Sequence, residues 1–463
     1  MRYTGAPRQL TELCLRSKAA SMLLSRAAEG DESEARRLGG LRSVIFLFGF
    51  GMAVLSAFVL WHQQTLTEHT EDPFSFAKIA SSALHGNGMV LHIETPVGPA
   101  PHWARRAPAY PSLIATIFAI GGEHLSLVRF VQTLLAGGIC LLIFEISLRL
   151  FGNIRASTLA AGMYAVHPML LRYVPDIQVE VLLTFFYTLA VWLSLRFIEK
   201  PAIDRGLWLG ACIAAAAMTK PVALPYALFF AAAYLGSLWL QRRHATKALR
   251  VPWPSLIAIF AAMALVILPW TYRNYRVTNG HFVLISTNGG GEFIRGYIFA
   301  QPDYYLLRKG ATTDAESRAN HMETELFAAQ GKVWEANEVE NDIVLSRAAR
   351  QQLLDAPLAL VKKTAINFFM YWYVATNKLN SLLIGCLSLA AWSLALVAIR
   401  AARSQHLMVW PVLVPILSLN LTYAVVLALA RYSAPTIPCL MVLAGFGLDV
   451  LLRRVSNPVR VSR

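Results

Sequence analysis

Apolar runs long enough to cross the hydrocarbon core of a bilayer recur along this chain, at 43–61, 130–148, 156–174, 178–195, 206–219, 221–240, 254–270, 379–399, 408–430 and 432–452. A segment immersed in lipid finds no water for its N–H and C=O groups. It must satisfy them internally, and a helix does so one segment at a time. About 20 residues rising 1.5 Å each span roughly 30 Å of hydrocarbon. Several runs are short or interrupted, so the expectation is about ten transmembrane helices, give or take one or two, in an all-α polytopic membrane protein. With 56% hydrophobic and 15% charged residues and a mean hydropathy of +0.48, the chain lies outside the usual soluble range.

Charge then orders the segments. Arg149–Arg155, Arg196–Arg205, Gln241–Lys247 and Arg400–Arg403 connect alternate spans, and each is basic. The positive-inside rule places them in the cytoplasm, together with an N-terminal extension, 1–42, and a basic tail, 453–463. Between these the membrane unit runs over 43–452. Two long outer loops remain, 62–128 and 271–378, and both read as carrying interfacial helices. The net charge of +15 follows from this topology and an anionic inner leaflet, so no nucleic-acid partner is expected; membrane lipids are. Of the five cysteines, Cys14 falls in the extension and Cys140, Cys212, Cys386 and Cys439 in apolar spans. A disulfide framework is therefore not expected. Long loops on one face, with no internal repeat, favour a reaction or recognition site at that face over a transporter.

The ionisable residues at the outer ends of the spans carry the chemistry. Arg273 and Arg276 follow directly on the seventh run, in Pro269–Arg276. Positive charge fixed at the mouth of an apolar segment grips an anion, and the lipid phase offers a phosphate on an isoprenoid tail. In the first loop, Glu71 and Asp72 precede Pro73, where a helix can open. Asp72 reads either as a helix cap or as a carboxylate held at the lipid-water boundary to take a proton from a hydroxyl. Arg105 and Arg106 lead into a proline-punctuated segment with Tyr110, and serve either as phosphate forks or as snorkelling anchors. His85, His92 and His102 lack a compact ligand spacing, so no metal is built from them. Asp176 and Glu180 stand four apart; a helix opening at Pro175 would put both on one face. Glu180 lies slightly inside the membrane, with Lys220 and Arg172 as its expected partners, in a structural ion pair or in a site. Thr287-Asn288-Gly289-Gly290 offers backbone amides to sugar or phosphate oxygens, or is only a mobile turn. Arg431 opens the last span as an anchor or an anion contact. The aromatic segment 368–373 is placed as an interfacial or re-entrant helix.

Taken in order, these motifs resemble the integral-membrane glycosyltransferases of the GT-C type, the broad group that includes protein mannosyltransferases and the aminoarabinose transferase acting on lipid A. The resemblance runs from about 43 to 452. It rests on the Asp72–Ala80 segment, Gly86-Asn87-Gly88, Arg106–Pro111, Glu180 after Pro168, Lys220-Pro221, Pro269–Tyr275, Thr287–Gly290 and Arg431–Pro435. It implies a GT-C fold and a monosaccharide donor linked to a polyprenyl phosphate such as undecaprenyl phosphate. It also implies transfer to a hydroxyl of a lipid, polysaccharide or protein acceptor on the extracytoplasmic face of a bacterial inner membrane. Asp72 matches the first-loop acid assigned as catalytic and Glu180 the acidic position of the next outer junction. Arg105, Arg106, Arg273, Arg276, Arg431 and Lys220 are candidates for the donor phosphate; Glu71, His102, Tyr110, Asp176, Asn288, Gly289 and Gly290 for the sugar and acceptor. Many relatives carry Asp-Glu where this chain has Asp72-Pro73. Arginines can supply the charge that a divalent metal often supplies, so no cofactor is required and a metal, though possible, has no support. A lipid-linked saccharide flippase and a polysaccharide polymerase or ligase are the alternatives.

Overall fold

A computed structural model describes residues 32–61, 71–243, 250–287, 289–307 and 311–456, with the side chains of 32–36, 60, 61, 71–74 and 311–313 outside the description. Residues 1–31 of the expected extension, 457–463 of the expected tail, and Asn288 lie outside the described residues. In chain order the elements are α1 (Glu32–Trp61), α2 (Glu71–Leu84), β1 (Leu91–Thr95), β2 (Gly98–His102), α3 (Ala109–Gly121), α4 (Leu125–Phe151), α5 (Ile154–Ala165), α6 (Pro168–Tyr173), α7 (Glu180–Glu199), α8 (Ile203–Thr219), α9 (Tyr226–Arg242), α10 (Trp253–Val277), α11 (Gly289–Phe299), α12 (Pro302–Tyr305), α13 (Ala311–Ala328), α14 (Glu338–Asp355), α15 (Pro357–Met370), α16 (Lys378–Ser404), α17 (Trp410–Val425) and α18 (Ile437–Ser456). Short 3-10 turns at Pro221–Ala223 and Ala430–Thr436 lead into α9 and α18.

Seven of the ten apolar runs lie in helical segments long and apolar enough to cross a membrane: Arg37–Val59, Leu125–Phe151, Glu180–Glu199, Pro221–Arg242, Trp253–Val277, Lys378–Ser404 and Ala430–Ser456. The other three fold differently, each for a local reason. The run 156–174 is divided at His167, whose side chain accepts from Met169 N and caps α6 with Pro168 in its first turn; a residue before proline is driven out of the helical region, so α5 stops. The run 206–219 ends with α8, because Lys220 precedes Pro221 and is extended, φ −153° and ψ 122°. The run 408–430 yields α17, 16 residues long.

Close approach of backbones holds the bundle together. A Cβ on Gly210 of α8 would stand 2.1 Å from the carbonyl oxygen of Ile259 in α10, and one on Gly447 of α18 would stand 2.0 Å from that of Leu394 in α16. Glycine alone admits such contact, which supplies dispersion where lipid gives no hydrophobic drive between helices. One end of the bundle is stitched by charge: Arg42 to Glu145 at 2.6 Å, Arg149 to Glu199 at 3.0 Å, and Arg453 and Arg155 onto the buried Asp449 at 2.9 and 3.4 Å. The opposite end carries the long loops.

Those loops hold the one hairpin among the described residues, with Leu91 opposite His102 and Thr95 opposite Gly98. Its second strand contains Pro99 and Pro101, which an unpaired edge tolerates. The helix α15, not among the seven spans, inverts the usual amphipathic order. It buries Lys363, Asn367 and Met370 while Leu358, Val361 and Phe369 stay exposed. The Lys363 ammonium donates to the Phe293 carbonyl at 2.9 Å and lies over the Phe293 and Tyr297 rings, and Asn367 donates to Ala424 O at 3.1 Å. Polar contacts thus tie α11 and α17 to one side of α15.

Candidate active site at the loop end of the bundle

Glu180 opens α7 and is 3% exposed. Its carboxylate oxygens have no hydrogen-bond partner among the described residues; the nearest charge is Arg431, with Nε 3.5 Å from Oε1. A buried carboxylate without hydrogen bonds is costly, and Arg431 and the amide dipoles of the first turn of α7 offset that cost. Lys220 comes to the same place from the end of α8. Its Nζ stands 4.2 Å from the centre of the Tyr432 ring and 5.5 Å from that of Tyr423, and these two rings stack in parallel at 4.5 Å. Arg431 also lies over Tyr432, at 5.2 Å. The start of α7, the end of α8 and the turn before α18 therefore bring two cations and one carboxylate together at one place.

One partner differs from those expected: Arg172 pairs with Asp176 at 2.8 Å, not with Glu180. Lys220 lies against the two aromatic faces. Asp176 does not share a helix face with Glu180, because 174–179 forms a bend and α7 begins at Glu180. Burial raises the Asp176 carboxyl above its ordinary value, against the lowering effect of Arg172. The bend is held by Gln132 of α4. This side chain donates to Val174 O at 2.7 Å and Asp176 O at 2.8 Å, and accepts from the Tyr110 hydroxyl at 2.7 Å. Tyr110 packs edge-on against Phe76 at 5.3 Å, and Arg106 covers the Phe76 ring at 5.2 Å. A continuous set of contacts thus runs from α2 through Arg106 and Tyr110 to the bend that precedes Glu180. The side chains of Glu71 and Asp72 lie outside the described residues; along the backbone, Asp72 stands one helical turn before Phe76.

Arg105 and Arg273, expected at a phosphate, fasten the two long loops to each other. Arg105 Nη1 sits 2.7 Å from both carboxylate oxygens of Glu335, and His102 Nε2 is 2.9 Å from Glu335 O. The Arg273 guanidinium donates to Trp103 O at 2.6 Å and Met89 O at 2.8 Å, and lies 4.5 Å from the Trp270 ring. Glu338, 5% exposed, accepts from Trp103 N at 2.7 Å, Ala104 N at 2.9 Å and the Thr287 hydroxyl at 3.1 Å. Thr287 N in turn donates to Ala104 O at 3.0 Å. Arg276 is exposed beside the Tyr272 hydroxyl. Gly289 and Gly290 open α11 in place of a turn, and Gly290 lies so close to α14 that a Cβ would stand 2.5 Å from Ser346 N.

Gln132, Glu335, Glu338 and Tyr423 belong to these contacts without being among the residues expected from sequence. A glutamine within an apolar run was the available signal for the first; the glutamates stand in a polar stretch where nothing sets them apart. Among the described residues no group of three or more His, Cys, Asp or Glu side chains stands ready to hold a metal ion.

Replacing Glu338 with alanine leaves two buried amides and a hydroxyl without their acceptor, at about 1–3 kcal/mol for each unsatisfied group. The loops of that variant are expected to be cut by trypsin about tenfold faster or more, with Glu338→Gln between it and the parent because one oxygen still accepts. Unchanged cleavage kinetics would show that the loops are held elsewhere.

A family model described as dolichyl-phosphate-mannose-protein mannosyltransferase matches residues 105–271, less than half of the chain. No curated protein matches. Among solved structures, the archaeal oligosaccharyltransferase AglB from Archaeoglobus fulgidus, in complex with an inhibitory peptide and a dolichol-phosphate, superposes with a TM-score of 0.54 at 12% identity, over 91% of this chain and 52% of that one. The apo form of the Archaeoglobus fulgidus oligosaccharyltransferase gives 0.56 at 13% identity over the same shares. The chain thus spans about half the length of these enzymes, and the likeness is one of fold: the helical membrane fold of the GT-C type.

Proposed function

We propose that this chain is a glycosyltransferase that moves a sugar from a polyprenyl-phosphate donor to an acceptor hydroxyl at the extracytoplasmic membrane face. The observation that carries this reading is the buried Glu180 carboxylate, open for hydrogen bonding, beside Arg431 and near Lys220 at the loop end of the bundle. Support comes from the mannosyltransferase model over 105–271 and from the fold shared with AglB, whose structure contains a dolichol-phosphate.

In this reading the isoprenoid tail lies between helices and brings the phosphate to Lys220 and Arg431, with Arg106 on the adjoining wall. The acceptor oxygen attacks the anomeric carbon as the bond from that carbon to the phosphate oxygen breaks. The bonding pair leaves with the phosphate, where the cations stabilise it, and the acceptor proton passes to Asp72. A single displacement inverts the anomeric centre. Glu180 keeps Arg431 in place and takes hydrogen bonds from hydroxyls of the sugar. Arg105 and Arg273 act at one remove, by holding the segment that carries Arg106.

Incubating the purified protein with a panel of polyprenyl-phosphate sugars and candidate acceptors, and following masses, tests this directly. At least one donor is expected to be converted to the free polyprenyl phosphate with the sugar mass appearing on the acceptor. If every donor stays intact while labelled donor crosses a proteoliposome bilayer, the chain is a flippase.

A further inference from the structure

The end of the bundle opposite the candidate site carries a cluster that the transfer reaction does not use. Arg149 near the end of α4 and Arg196 in the last turn of α7 meet over Trp192, with Arg205 of the first turn of α8 beside Arg196. The guanidinium carbons of Arg149 and Arg196 stand 5.5 and 5.1 Å from the centre of this one indole ring. Arg205 donates from Nη1 to the carbonyl of Arg196. The carboxylate of Glu199 joins them, accepting from Arg149 Nη1 at 3.0 and 3.3 Å. Arg149, Arg205 and Glu199 all act electrostatically on Arg196. Among the described residues three arginines and Lys200 stand here with the carboxylates of Glu199 and Asp204, an excess of positive charge in one small space.

Ordinary snorkelling spreads such side chains apart into water. Here two of them share one ring and the third bonds to the backbone of the second, and the Arg149 side chain is only 14% exposed. Two donors of the cluster, Arg149 Nε and Trp192 Nε1, are buried with no hydrogen-bond partner among the described residues. Next to Arg205, the apolar side chains of Ile203, Leu207 and Trp208 are 54%, 44% and 69% exposed, which marks the lipid-facing surface of α8 at the depth where tryptophan favours the headgroup boundary. Glu180 and Arg196 lie on the same helix, 16 residues apart by their numbers. At 1.5 Å per residue that is about 24 Å, close to the thickness of the hydrocarbon core, so the two clusters belong to opposite membrane surfaces.

We propose that Arg149, Arg196 and Arg205, with Trp192, bind the phosphate of an anionic membrane phospholipid, whose acyl chains run along Ile203, Leu207 and Trp208. The guanidinium groups supply forked donors suited to phosphate oxygens, and the lipid phosphate supplies the negative charge and acceptors that the cluster lacks. This inference does not rest on the transferase reading.

Native mass spectrometry of the full chain in mild detergent, titrated with phosphatidylglycerol, phosphatidylcholine or inorganic phosphate, tests it. One phosphatidylglycerol is expected to bind at least about tenfold more tightly than phosphatidylcholine. Each of Arg196→Gln and Arg205→Gln should weaken it about fivefold, the effect of removing one positive charge near a lipid headgroup, while millimolar inorganic phosphate does not displace it. Helix content by circular dichroism identifies a variant that has failed to fold, and the other then decides. Equal binding of the two lipids, or unchanged binding in a folded variant, overturns the proposal. Displacement by inorganic phosphate overturns the lipid assignment and makes a free phosphate the ligand.

Discussion

Glu180→Gln is expected to lower the turnover of sugar transfer about a hundredfold or more, the size of effect seen when a charged or hydrogen-bonding group is removed from a reacting centre. The amide keeps the shape of the side chain but removes the charge that faces Arg431 across 3.5 Å. Arg431, with its side chain 31% exposed, then loses the carboxylate that faces it, and one of the two cations nearest the donor phosphate is held less firmly in place. Glu180→Asp keeps the charge one methylene further back and should recover part of the activity. Arg431→Gln should act like Glu180→Gln, and the double variant should be little worse than either single one, because the two groups act as a unit. Breaking a buried pair also destabilises, so turnover is to be read beside the melting temperature. A turnover within about threefold of the parent in a folded Glu180→Gln protein would remove Glu180 from the site.

Asp72→Asn is expected to reduce transfer about a thousandfold, at the upper part of the range for a general base, while membrane insertion and donor binding persist. The choice of asparagine separates the two roles open to this residue. Asp72 is the second residue of α2, where a structural role is that of a charge at the helix N-terminus, worth about 0.3–1 kcal/mol, so a purely structural Asp72 predicts a folded variant with near-normal turnover. As a proton acceptor Asn has no function near neutral pH. The position in the fold fits the second role. Asp72 stands one turn before Phe76, and Phe76 is in contact with both Arg106 and Tyr110, whose hydroxyl bonds to the Gln132 that shapes the bend before Glu180. Turnover by mass-detected product, with insertion checked by accessibility labelling, decides between them.

Much of the helical architecture was legible because lipid imposes a single rule, an apolar run of sufficient length, and seven of the runs obey it. The break at His167-Pro168 was legible in principle from the proline, yet an apolar run overrides a local signal until the histidine is seen to cap the next helix. Partner choice was not legible. Glu180 could be placed at the membrane boundary from its apolar neighbours, but whether Lys220, Arg172 or Arg431 meets it depends on which helices are adjacent, and periodicity carries no such information. The loop-to-loop contacts of Arg273 were hidden for a related reason: a guanidinium near the end of an apolar run suits a phosphate and a row of backbone carbonyls equally, and the carbonyls are supplied by a loop nearly two hundred residues away along the chain. The hairpin was hidden by its own prolines.

The most direct measurement is a structure of the protein with a non-transferable polyprenyl-phosphate sugar bound. Phosphate density between the Lys220 ammonium and the Arg431 guanidinium, with the sugar against Glu180, is the expected result. The donor's own phosphate, with its sugar attached, lying instead at the Arg105 and Arg273 contacts between the loops or at the far end of the bundle would contradict it.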